Sequence, residues 1–132
     1  MVPESLQLDA LRRTNQALGF YGLEPISQLP AGTPLDPCDC PIKRGLSALD
    51  PDASVGRRYI ITRAEFAQGV SQAFGQPGVY QRLDQGLAKV RLTRIPRRFI
   101  SAFDERHLPE LIDPVTDKAY QAYLDTLDAV LV

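Results

Sequence analysis

The 132-residue chain has no tryptophan, one methionine, one histidine and two cysteines, and each scarcity narrows what the protein can be. Two cysteines, Cys38 and Cys40, are too few for a disulfide framework, so a reducing, cytoplasmic setting is expected. With His107 as the only histidine, a four-ligand zinc site has one possible composition: Cys38, Cys40, His107 and a carboxylate. No apolar run approaches the roughly 20 residues that cross a bilayer, so no membrane partner is expected. The N-terminus lacks a basic segment followed by an apolar one, and no signal peptide is expected. Internal repeats are absent. So are the G-x-x-x-x-G-K-S/T, G-x-S-x-G and H-E-x-x-H patterns, and no local pairing of carboxylates singles out an acid–base couple. An enzyme is therefore unsupported, and no cofactor is expected.

What is present is ordinary in amount and uneven in placement. At 44% hydrophobic and 23% charged residues, the chain has the composition of one globular domain over 1–132. That length buries roughly two-thirds of the unfolded surface in one core. The net charge of −1 conceals three blocks. Residues 1–56 hold four basic and seven acidic side chains, residues 57–106 ten basic and four acidic, and residues 107–132 one basic and five acidic. Such a chain can neutralise itself on folding or present separate patches to partners.

Periodicity sets out an α+β domain, predominantly helical, with a small sheet of two or more strands. Leu6–Leu18 reads as a helix with Leu8, Leu11 and Leu18 on one face and Gly19 as its stop. A Pro-rich connection covers 20–40, anchored by Leu23, Ile26 and Leu29, with one helical turn expected over Glu24–Leu29. Pro41 opens a short helix that carries Ile42, Leu46 and Leu49. Arg57–Thr62 reads as a strand, and Thr62-Arg63-Ala64-Glu65 as the capping box of a helix carrying Phe66, Val70, Ala73 and Phe74. Val79–Gln85 reads as a helix closed by Gly86. Residues 87–94 alternate as a strand, and Pro96 opens a helix whose Phe99, Ile100 and Phe103 face a core. Leu108-Pro109 breaks the chain. Asp113-Pro114 starts the last helix, with an apolar stripe at Tyr120, Leu124, Leu127 and Leu131 beside an acidic one at Asp117, Asp125 and Asp128.

Three features can carry chemistry. Cys38-Asp39-Cys40-Pro41 places a thiol at a helix start, where backbone N–H groups favour a thiolate; a thiol or metal site competes there with a plain helix cap. The Pro96 helix has Arg97 and Arg98 in its first turn and Asp104 and Glu105 in its last, against the helix dipole. Its first turn is therefore an anion pocket, to be filled by an internal acid from Glu110–Asp117 or the last helix, or by a phosphate or carboxylate from outside. The basic band itself (Arg57, Arg58, Arg63, Arg82, Lys89, Arg91, Arg94, Arg97 and Arg98) is mostly arginine, which favours bidentate contacts. Of these, Arg57, Arg58, Arg91, Arg94, Arg97 and Arg98 are the candidate anion- or partner-binding residues.

Cys40-Pro41-Ile42 with Gly45-Leu46 forms one distinctive segment. Ile95-Pro96 through Phe99-Ile100 and Phe103-Asp104 to Leu108-Pro109-Glu110-Leu111 forms another. Both resemble segments of small uncharacterised proteins of actinobacteria and their phages; the resemblance covers under a quarter of the chain and implies a bacterial cytoplasmic setting and no chemistry. The reading that follows is a non-enzymatic protein-binding or regulatory protein using its arginine-rich surface. A nucleic-acid-binding regulator is the alternative, and a thiol- or metal-dependent enzyme at Cys38 and Cys40 the third.

Overall fold

The computed structural model describes residues 2–131, and among these five α-helices accompany a four-stranded antiparallel sheet. The helices are α1 (Pro3–Phe20), α2 (Pro41–Gly45), α3 (Ala67–Phe74), α4 (Arg94–Asp104) and α5 (Pro114–Leu131). The strands are β1 (Ser54–Val55), β2 (Tyr59–Arg63), β3 (Gln81–Arg82) and β4 (Leu87–Arg91), in the order β1-β2-β4-β3. This is the expected α+β class, dominated by helices.

The sheet is built on the five-residue β2–β4 pairing, Tyr59↔Arg91 through Arg63↔Leu87. Alternation sends Ile60, Thr62, Ala88 and Val90 inward, where all four are buried. Tyr59, Ile61, Lys89 and Arg91 take the opposite face, which stays half-buried or exposed. Helix α3 packs against β4, α1 packs on α3 and α4, and Phe74, Phe99, Phe103, Leu18 and Ile42 are fully buried in the core.

Several boundaries depart from the sequence reading, each for a local reason. Helix α1 turns Leu6, Ala10, Thr14, Ala17 and Leu18 to the core, while Leu8 is 67% exposed and Leu11 only partly covered. The buried face is centred on Ala10, Thr14 and Ala17 rather than on Leu8 and Leu11, and α1 packs against α3 and α4. The helix runs past Gly19 and stops at Gly22, whose φ of 74° permits a Schellman closure. There Leu23 N donates to Leu18 O and Gly22 N to Gly19 O. No helical turn forms over Glu24–Leu29; Asn15 instead holds the backbone N–H and C=O of Ile26.

The Thr62–Glu65 capping box does not form. Thr62 Oγ1 donates to the buried carboxylate of Asp50 at 2.7 Å, and a 3₁₀ turn over Ala64–Phe66 leads into α3. The helix expected over Val79–Gln85 is also absent. Gln81 and Arg82 pair with Lys89 and Ala88 across a tight turn with positive φ at Gln85 and Gly86. Helix α4 begins at Arg94, two residues before Pro96, because the first four N–H groups of a helix have no internal partner and a proline at the third position removes none that is needed. At Pro114 the expectation holds: Asp113 Oδ1 accepts from Val115 N and Thr116 N at 3.0 and 3.3 Å.

Helix α5 lies on the 33–39 loop through its first turns. Thr33 Oγ1 and Thr116 Oγ1 share a hydrogen bond of 2.7 Å, and Arg106 pairs with Asp117 at 2.6 Å. No described residue of α5 is buried, Tyr120 and Leu124 are half-covered, and every residue from Asp125 to Val130 is exposed. The stripe at Tyr120, Leu124 and Leu127 therefore faces no core, and the side chain of Leu131 lies outside the described residues. None of the described helices is long and apolar enough to cross a membrane.

Candidate functional site

Two ends of the sheet layer bring five of the six candidate arginines around one open cleft of about 630 Å³. Arg57 and Arg58 come from the β1–β2 turn, closed by Gly56 N donating to Tyr59 O, and Leu92 N donates to Arg58 O. The chain leaving β4 is thus held directly beside that turn. Thr93 N and Oγ1 both donate to Phe74 O, which fixes where α4 begins. From there Arg94, Arg97, Arg98, Ser101 and Glu105 recur at three- and four-residue spacing and share one face. Phe99, Ile100 and Phe103 occupy the buried face and set its rotation. Leu6 and Ala102 form a small apolar floor, and His107 closes one end.

The sixth candidate, Arg91, is elsewhere. It sits on the outer sheet face in a second depression of about 330 Å³ with Tyr59, Val79, Tyr80 and Lys89. Lys89 Nζ stands 4.4 Å above the centre of the Tyr59 ring. The basic band is thus divided between a cleft and an open sheet.

Charge pairing leaves four of the five arginines of the cleft without a carboxylate partner among the described residues. Asp113 serves Arg44 at 3.3 Å, and Asp117 serves Arg106. The expected internal acid at the α4 start is therefore not there. Among the described residues no carboxylate pairs with Arg58, Arg91, Arg94, Arg97 or Arg98. Arg57 does have a partner, Asp104 at 3.2 Å, whose other oxygen accepts from Leu35 N at 2.8 Å. Glu105 is the one acid lining the cleft, and it stands 4.0 Å from His107 Nδ1.

The cysteines take different environments. Cys40 is 2% exposed, and its Sγ accepts from Lys43 N at 3.3 Å, capping α2. Burial pushes its thiol up to about 12, overriding the backbone N–H groups of the helix start, with the charges of Asp104 and Asp39 acting in the same direction as burial. Cys38 is exposed. Beside them, Asp39 is desolvated, which raises its pKa, yet hydrogen bonds from Arg44 and Thr33 hold it below the usual carboxylate range. Among the described residues no three His, Cys, Asp or Glu side chains are grouped to hold a metal ion, so Cys38, Cys40 and His107 do not converge.

Chemically, the cleft can bind an anion through several guanidinium forks. Ser101 and His107 both line it, but no hydrogen bond joins them, and a hydroxyl without a base is not an activated nucleophile. The sequence reading overlooked Ser101, Glu105 and the floor of Leu6 and Ala102. The first two continue the 94–97–98 spacing by one and two turns. Leu6 has no such local signal, since it arrives from the far end of the chain. Compared with known proteins, the chain matches no family model, no curated protein and no solved structure.

Proposed function

We propose that the chain is a non-enzymatic binding protein that engages an acidic segment of a protein partner through the cleft of Arg58, Arg94, Arg97 and Arg98. The observation that carries this reading is the gathering around one concavity of four arginines with no carboxylate partner among the described residues. Like charges at this spacing repel, and two of them sit at the positive end of α4, so the arrangement is poor for the empty protein and good for an anion-bound one. Arginine rather than lysine favours planar, bidentate acceptors such as carboxylates.

Nucleic acid is the second reading, favoured by one feature: the positive charge continues onto the outer sheet at Lys89 and Arg91 beside Tyr59. The cleft itself argues against it. No aromatic side chain lines it to stack a base, and Glu105 stands inside it. The test is a titration of a labelled glutamate-rich peptide and a labelled single-stranded oligonucleotide against the protein over a range of salt. The peptide is expected to bind and to lose at least tenfold in affinity in the Arg97→Gln/Arg98→Gln variant. Oligonucleotide binding with a steep log-linear salt dependence, and no peptide binding, supports the nucleic-acid reading instead.

A further inference from the structure

Beside the arginine cleft lies a smaller cavity of about 200 Å³, walled by Leu35, Pro37, Cys40, Val55 and Ile100. Cys40, Val55 and Ile100 belong to the buried core, so the cavity opens directly onto it. The polar groups at its edge are already served. One oxygen of Asp104 accepts from Arg57 Nε at 3.2 Å and the other from Leu35 N at 2.8 Å, while Asp36 Oδ1 accepts from Cys38 N at 3.0 Å. What enters is therefore apolar, and the two aspartates disfavour a further carboxylate there. Pockets for small molecules take about 300–1,000 Å³, so this one suits a single side chain. Leu35 forms its lip in an unusual way. Its φ of 69° is one that leucine rarely adopts and that asparagine or glycine takes readily. It is also 48% exposed, so neither the backbone nor the core calls for a leucine at this position. An apolar lip for an entering side chain does.

The cavity and the cleft adjoin. Arg57 lines both, which makes them neighbours across one side chain. On α4, Arg97 of the cleft and Asp104 of the cavity are seven residues apart, nearly two full turns, and so lie on one side of the helix about 10 Å apart. An extended chain covers that distance in about three residues. We infer that the partner segment is bipartite: a run of acidic residues seats on Arg58, Arg94, Arg97 and Arg98, and about three residues away one apolar side chain enters the Leu35 cavity. The inference rests on the reading of the cleft as a site for an acidic protein segment, and it adds what sets that segment's register. Carboxylates alone suit any cluster of arginines; an apolar anchor at a fixed spacing discriminates among acidic sequences.

Three labelled peptides test this on the full chain: the glutamate-rich peptide, and two versions of it with a leucine three residues before or three residues after the acidic run. One of the leucine peptides is expected to bind about tenfold tighter than the plain one, the gain from burying a leucine side chain. That ratio should hold as salt weakens the acidic contribution common to all three. In Leu35→Asn, which suits the left-handed backbone and keeps the N–H on Asp104, the leucine gain is expected to vanish while the plain peptide binds as before. Circular dichroism checks folding. Gly56→Leu, at a wall position where a Cβ meets only Tyr59 O at 3.8 Å, fills the cavity and replaces the first variant if that one unfolds. Binding of all three peptides with equal affinity overturns the inference, as does a leucine gain that survives in the folded variant; in both cases the cleft reading stands. If no peptide binds, or Arg97→Gln/Arg98→Gln does not weaken the plain one, the cleft reading fails and the inference falls with it.

Discussion

Replacing Asp50 with asparagine should cost this domain a large share of its stability. Asp50 is 2% exposed, and its two carboxylate oxygens accept three hydrogen bonds: Thr62 Oγ1 at 2.7 Å, Arg63 N at 3.0 Å and Asp52 N at 3.0 Å. Those bonds join the exit of the α2 segment to the end of β2. Asparagine offers one acceptor oxygen and an NH₂ that donates. In either orientation, at least one of the two backbone N–H groups then faces a donor. An orphaned buried N–H costs about 1–3 kcal/mol, and the loss of charge assistance adds to it, for a total of about 3 kcal/mol. In a domain of this size that lowers the thermal midpoint by about 10 °C. The pH dependence carries the same signature. Burial raises the Asp50 pKa, but the bonds from Thr62, Arg63 and Asp52 and the Arg63 charge outweigh it, leaving the group below its ordinary 3.8. A carboxylate whose folded pKa is depressed stabilises fully above the unfolded value and loses that contribution as pH falls through the folded one. The wild-type advantage over the asparagine variant should therefore be constant near neutrality and shrink below about pH 4. Thermal melts of both proteins across that range are the assay. A variant that melts within a degree or two of wild type at neutral pH refutes the reasoning.

Three further outcomes are expected. Arg97→Gln/Arg98→Gln should leave the thermal midpoint nearly unchanged; because α4 begins at Arg94, Arg97 closes the first turn and Arg98 lies beyond it, so the helix-start cost of about 0.3–1 kcal/mol per misplaced charge has largely fallen off at both, contrary to the expectation that they occupy the first turn, and a fall of several degrees would show that these arginines hold the fold. Native protein near neutral pH should react with an alkylating reagent at Cys38 alone, and mass spectrometry should find Cys40 modified only after denaturation, since its thiol is buried and titrates at about 12; rapid native modification of Cys40 would contradict its burial. Gly69→Ala should destabilise by about 1–3 kcal/mol through overpacking. A Cβ there would stand 2.5 Å from Tyr21 Cε2 and 2.8 Å from Phe20 Cδ1, while Gly69 N donates to Tyr21 Oη; an unchanged melt would show that the α1–α3 contact yields.

Much of the fold was legible because it is written in short-range pattern. Ile60, Val90, Phe99, Ile100 and Phe103 declare their strands and helix by periodicity, and all are buried. Asp113-Pro114 declares its cap by residue chemistry alone. The misreadings come where a distant group outbids a local one. Thr62 bonds Asp50 instead of closing a capping box, and Gln81-Arg82 joins β4 instead of a helix. The turn at Leu18–Leu23 needed two more residues than Gly19 suggested, because Gly22 has the left-handed φ that the closure requires. For the site, residue type pointed to the arginines and the Pro96 helix to Arg97 and Arg98 as neighbours, whereas Arg94, which alternation assigns to the preceding strand, is the first residue of α4. That Arg57 and Arg58 join them while Arg91 does not depends on sheet register, which places Arg91 opposite Tyr59 on the outer face. Register is set by tertiary pairing and has no local signature.

The most direct test is to map the contact residue by residue. Amide chemical shifts of the isotope-labelled protein, followed as the glutamate-rich peptide is added, report which surface it touches. Saturable shifts are expected at Arg58, along Arg94–Ala102 and at Leu6, with Tyr59, Lys89 and Arg91 unmoved. Shifts confined to the outer sheet at Tyr59, Lys89 and Arg91, or none at all, would contradict an acidic segment in the arginine cleft.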